Sequence, residues 1–163
     1  LWHRQRTPLR TPWRQPLHRR AQRQQRLLQL VDRFLQGRLR AAYAALHRAG
    51  HAHSVETWID GRLCAGLYCV GVGRAVFGES MFTDVPDGSK IALAALVALC
   101  RRHGLPLIDC QQNTAHLAFM GAAEMPRADF AAAVQALVPQ PAPAWHFEPV
   151  YWNALMPPSP ADR

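Results

Sequence analysis

Three polar residues interrupt runs that otherwise read as apolar strands. Glu79 lies within Gly78-Glu79-Ser80-Met81-Phe82, and Asp109 and Gln111 close the run that begins at Leu105. A carboxylate or amide in apolar surroundings costs free energy unless it is paired or used. Such groups at neighbouring strand ends are the first place to look for a site. Glu79 is suited to recognising a positive charge. Asp109 and Gln111, two apart on one strand, are expected to project from the same face and so to cooperate. Each also has a plainer reading. Asp109 can cap the next helix, Gln111 can satisfy backbone groups, and Glu79 can pair with Lys90, the only lysine of the chain.

The elements that must hold these residues follow from periodicity and turn chemistry. Residues 38–49 place Leu39, Ala42, Tyr43, Leu46 and Ala49 on one helical stripe, closed by Gly50. Ser54–Ile59 alternates as a strand does, Asp60-Gly61 is a hairpin signal, and Arg62–Val70 reads as the second strand. Gly71–Gly73 is expected to turn into a third strand, Ala75–Phe82, followed by a loop over 84–88. Ser89 is the expected N-cap of a helix running to Arg102, ended by His103-Gly104. Leu105–Cys110 reads as a short apolar strand, central in its sheet and covered on both faces. Short helices are expected over 113–120 and Arg127–Leu137, and a strand near Phe147–Tyr151. The order is helix, three meandering strands, helix, strand, helix. It predicts an α+β domain, a mixed β-sheet flanked by helices, in which one helix crosses from the third strand to the fourth. That order resembles the GNAT-like acyl-CoA N-acyltransferase superfamily.

Composition bounds what the domain does. The formal charge of +8 over 163 residues is unevenly placed. Residues 1–40 hold eleven Arg against one acid (+10), and residues 41–163 hold eight Arg or Lys against ten Asp or Glu (−2). A global argument from basicity to nucleic-acid binding therefore fails for the globular part. Residues 1–31 read as a basic, low-complexity leader, expected to be disordered, broken by Pro8, Pro12 and Pro16. Residues 32–163 read as the folded domain. The leader could grip RNA phosphates, or it could be a simple tail or residues read from an incorrect frame. An Arg-rich start with no apolar core is not the pattern of a signal peptide, and no apolar run reaches the length of a membrane span. Cys64, Cys69, Cys100 and Cys110 form no CxxC pair and fit a reducing cytoplasm. His47, His51 and His53 cross a helix end without a completing carboxylate or thiol, so no metal is expected.

Six segments then point to a family. They are Ala42–His47 (AYAALH), His53–Trp58 (HSVETW), Gly78–Phe82 (GESMF), Ser89–Leu93 (SKIAL), Leu107–Gln111 (LIDCQ) and Gly121–Arg127 (GAAEMPR), in that order. Over about residues 34–135 the chain resembles the bacterial leucyl/phenylalanyl-tRNA–protein transferases. The resemblance implies a cytoplasmic enzyme with a GNAT-like fold and no cofactor. Its partners would be aminoacyl-tRNA carrying Leu or Phe and acceptor proteins beginning with Arg or Lys, whose products feed the N-degron degradation pathway. It implies catalytic roles for Asp109 and Gln111 beside the reacting atoms. The amino-acid pocket would draw on Phe34, Tyr43, Leu67, Val76 and Leu96, each of which could equally be plain core. Glu79 would meet the acceptor's Arg or Lys, or an α-ammonium. Two departures stand out: residues 1–31 resemble none of the family's smaller N-terminal domain, and Phe34 occupies the place of a family Trp.

Two other readings compete. An acetyl-CoA-dependent N-acetyltransferase would share the fold, but its pyrophosphate loop needs glycines and basic groups. Here Thr83–Ser89 offers Asp84, Asp87 and Pro86 instead. The other alternative is an inactive, truncated remnant whose basic leader binds RNA.

Overall fold

The computed structural model describes residues 38–155; Phe34 and the 1–31 segment lie outside them. Helix α1 (Arg38–Arg48) leads into β1 (Ala52–Ile59), β2 (Arg62–Val72) and β3 (Ala75–Thr83). Helix α2 (Gly88–Arg102) then crosses to β4 (Ile108–Asp109), followed by α3 (Ala115–Phe119), α4 (Arg127–Leu137) and a 3₁₀ helix, Pro149–Leu155. The sheet order is β1-β2-β3-β4, antiparallel throughout except for the parallel pair β3–β4. This is the mixed α+β architecture that the element order predicts.

The first hairpin forms as its turn chemistry dictates. Asp60 (φ 49°) and Gly61 (φ 77°) both take the left-handed conformation of a two-residue turn. The second hairpin turns later than expected: Gly71 and Val72 stay in β2, and Gly73 takes the positive φ. Gly71 is small for another reason. A Cβ there would lie 2.5 Å from the Trp145 ring, which stacks on His53 at 3.9 Å between ring centres.

Helix α2 is the core element. Its Ala92, Leu93, Leu96, Ala98, Leu99 and Cys100 are buried against the sheet with Leu67, Cys69 and Val76. The opposite face of the sheet packs Ala52 and Tyr68 against Tyr43 and Leu46 of α1. The α1 stripe is narrower than its periodicity suggests. Leu39 is exposed, as are Ala42 and Ala49, and the buried residue is Ala44.

Three expectations need correction. Ser89 does not cap α2, because the helix begins one residue earlier at Gly88, and Ser89 is buried. Gly88 packs so closely that a Cβ would lie 2.7 Å from Ala65 Cβ, while its carbonyl accepts from Thr57 Oγ1 at 3.0 Å. The run Leu105–Cys110 yields only a two-residue strand at the edge of the described sheet, because Leu105 and Pro106 are spent leaving α2 and Cys110 already departs from β3. Phe147–Tyr151 forms no strand. Phe147 and Tyr151 pack edge to face at 5.5 Å, and Tyr151 lies buried in the 3₁₀ helix.

Candidate active site at the β3–β4 split

Strand β4 pairs only with Val76 and Phe77 of β3 before it leaves. The next β3 residues, Gly78 to Met81, border a cavity of about 360 Å³. Leu67, Met81, Leu93, Leu96, Ile108 and Leu117 give it an apolar lining, and Glu79, Gln111, Gln112, Thr114 and His116 line it with polar groups. Gly78 permits the approach of β4, since a Cβ there would lie 3.3 Å from the Asp109 carbonyl oxygen.

Glu79 owes its position to a β-bulge. Ser80 pairs with Tyr68 and Gly78 with Cys69, so Glu79 is the extra residue between them. A bulge breaks the alternation of side chains and re-aims the inserted one. Glu79 is half-buried, and its Oε2 accepts a hydrogen bond from the Tyr43 hydroxyl at 2.9 Å. Tyr43 stands edge-on to Tyr68, 5.0 Å between ring centres. Burial, and then the adjacent Glu79 carboxylate, push the Tyr43 phenol well above its usual range. The phenol therefore stays protonated and serves as a permanent donor. Burial raises the Tyr68 phenol as well. Lys90 does not reach Glu79; it pairs with Asp87 at 2.6 Å.

Gln111 is held differently. It has φ 60°, a left-handed conformation that a non-glycine residue adopts at some cost. Asp109 Oδ1 accepts from the Gln111 backbone N–H at 2.8 Å, an Asx-type turn that stabilises this backbone. The same-face argument for the pair therefore fails, because β4 ends at Asp109 and strand periodicity stops there. Asp109 does not line the cavity; it sets the turn that carries Gln111 to the rim. Farther along, Asn113 Nδ2 donates to Glu124 Oε1 at 2.6 Å, and Thr114 caps α3 by accepting from Leu117 N–H at 3.1 Å.

The remaining pocket candidates divide. Leu67 and Leu96 line the cavity, whereas Tyr43 reaches it only through Glu79. Val76 does not line it: it is 1% exposed and belongs to the core under α2. Sequence reasoning missed Tyr68, Leu93, Ile108, Leu117 and His116. The lone glycine of strand β3, Gly78, was the available signal, since an isolated strand glycine marks a bulge or a close backbone approach.

The segment before α2 is a poor cradle for pyrophosphate. Asp87 engages Lys90, and Gly88 and Ser89 at the start of the helix are buried. The histidine trio disperses: His47 Nδ1 lies 2.6 Å from Ala52 O, His51 Nδ1 lies 3.1 Å from Gly71 O, and His53 stacks on Trp145. Among the described residues no helix is long and apolar enough to cross a membrane.

The sequence model of a family described as leucyl/phenylalanyl-tRNA protein transferase matches residues 20–135, beginning ahead of the motifs and inside the basic segment. A leucyl/phenylalanyl-tRNA–protein transferase of Polaromonas sp. (strain JS666) is 61% identical over 115 residues, covering 71% of this chain and 45% of that protein. Proteins of the same name are similar at 59% over 107 residues in Bordetella petrii (66% and 42% covered) and at 55% over 118 residues in Leptothrix cholodnii (72% and 46%). The chain thus spans about half the length of the curated relatives it matches.

Proposed function

Because the chain belongs to the leucyl/phenylalanyl-tRNA protein transferase family, we propose that its cavity moves Leu or Phe from aminoacyl-tRNA to the N-terminal Arg or Lys of acceptor proteins. The observation that carries this reading is the joint presence of Glu79 and Gln111 on one apolar-lined cavity. In this reading the domain acts in the cytoplasm and supplies substrates to N-degron-dependent degradation.

The chemistry asks little of the protein. An aminoacyl ester is already activated, and an α-amine with a pKa of about 8 is partly unprotonated near neutrality. Holding amine and carbonyl at near-attack distance then supplies most of the acceleration. The Glu79 carboxylate, kept in place by Tyr43, attracts the acceptor's cationic side chain or ammonium. The Gln111 side chain hydrogen-bonds the reacting groups, and Asp109 acts through the turn it stabilises. Leu67 and Leu96, with neighbouring apolar side chains, receive the transferred residue. A methylene contributes only about 0.8 kcal/mol on burial, so rejection of Ile must come from shape at Cβ.

The test is transfer of labelled Leu or Phe from tRNA to a peptide beginning with Arg. Product is expected with that peptide, and neither with its N-acetylated form nor with Ile-tRNA. Acetyl transfer from acetyl-CoA, with no aminoacyl transfer, would overturn the reading.

A further inference from the structure

We propose that His116 is the proton acceptor of the transfer step, an inference that rests on the function proposed above. Attack by an unprotonated amine on the ester carbonyl forms the C–N bond and leaves the nitrogen with a proton to lose. Breaking the ester C–O bond leaves its electron pair on the ribose oxygen, which must gain a proton. One group that takes the first proton and returns it to the second site balances the reaction, yielding an amide and a free ribose hydroxyl. General acid–base groups of this kind typically contribute about 10²–10⁴-fold in rate.

The cavity lining leaves few candidates for that group. The Glu79 carboxylate is engaged by the Tyr43 hydroxyl. Asp109 lies outside the lining, and its carboxylate is engaged by the Gln111 N–H. Gln111, Gln112, Ser80 and Thr114 are not useful bases near neutral pH. The Cys110 thiol is raised by burial and then by Asp109, and the Tyr68 phenol by burial, so both stay protonated. His116 of α3 lines the same cavity and is exposed to water. Histidine is the side-chain type that gains and loses a proton between pH 5 and 8. The other titratable groups that line the cavity are Glu79 from β3, Tyr68 from β2 and Cys110 beyond β4. Lys90 of α2 is outside the lining; it sits 5.7 Å from the Phe119 ring of α3 and is paired with Asp87.

The pH dependence of single-turnover transfer from Phe-tRNA to an Arg-initiated peptide tests this directly. In the unmodified chain two groups, the amine and the imidazole, must be unprotonated. The acid limb of the log-rate profile should therefore steepen from first to second order in proton as the pH falls. His116→Ala and His116→Gln should each lower the rate by about 10²-fold, keep a first-order limb throughout, and regain rate with added imidazole. Neither substitution removes buried packing, and both variants should melt with the parent chain. An unchanged rate and an unchanged second-order limb in either variant would overturn the role of His116. A parent chain that transfers nothing would instead overturn the function on which it rests.

Discussion

Strand β2 and the wall over Ile108–Pro126 hold their residues by opposite means. The β2 run Ala65–Cys69 is buried throughout and paired on both edges. Between Ile108 and Pro126 no residue is buried. Local polar contacts organise that wall instead: Asp109 on the Gln111 N–H, Asn113 on Glu124, and Thr114 on the start of α3. Glu79 thus stands on the sheet body, fixed by a bulge and by Tyr43, while Gln111 stands on an exposed turn. One side of the cavity is rigid by packing, and the other depends on a few replaceable hydrogen bonds. Regions with few buried apolar contacts open locally at small cost. On the proposed function, such opening would let the wall admit substrate without disturbing the core.

The contrast can be broken from either side. The largest effect is expected from Leu99→Ala, which empties a core site 4% exposed and should cost about 2–5 kcal/mol in denaturant unfolding. Raising the pH should act on the same core. Burial pushes the Cys100 thiol up from 9.0 to about 12. Its folded form holds the proton longer than the unfolded chain does, so this contribution is complete below pH 9. It should be lost at up to about 1.4 kcal/mol per pH unit as pH rises toward 12. Denaturant midpoints at pH 8 to 10.5 should show the slope, and Cys100→Ala should make it shallower without abolishing it, because burial raises the Cys69 thiol as well. On the wall, Asp109→Ala should cost about 1 kcal/mol globally yet depress transfer strongly, because the Gln111 turn loses its acceptor. Equal transfer by this variant and the parent would remove Asp109 from the site. Asn113→Ala, on an exposed contact, should change global stability by no more than about 0.5 kcal/mol. It should nonetheless speed hydrogen exchange over 111–124, and unchanged exchange there would show that the contact does not organise the wall.

How much of this was legible in the sequence follows the same division. Asp60-Gly61, the apolar period of 89–102 and His103-Gly104 are local signals, and the structure obeys them. Tertiary contacts decided the rest. Gly71 reads as a turn residue, but it pairs with Val76 of β3 and so stays in β2, where Trp145 occupies the space of a side chain. Ser89 reads as a cap, but the close fit of Gly88 on Ala65 moves the helix start. Val76 has the character of a pocket residue and lies in the core instead, since apolar type alone does not say which side of a wall a residue faces. Asp109 and Gln111 were singled out by their polarity at a strand end. Their relation to one another depended on where β4 stopped. The bulge that aims Glu79 comes from pairing across strands and is not encoded within the GESMF run alone.

The most direct test of the cavity as a single site is a double-mutant cycle on transfer rate. Glu79→Gln and Gln111→Ala should each slow transfer from Phe-tRNA to an Arg-initiated peptide while melting with the parent. The double variant should lose less than the product of the two single losses, because both side chains serve one bound pair of reactants. Strictly multiplicative losses, or full activity in either single variant, would contradict a shared site at the split between β3 and β4.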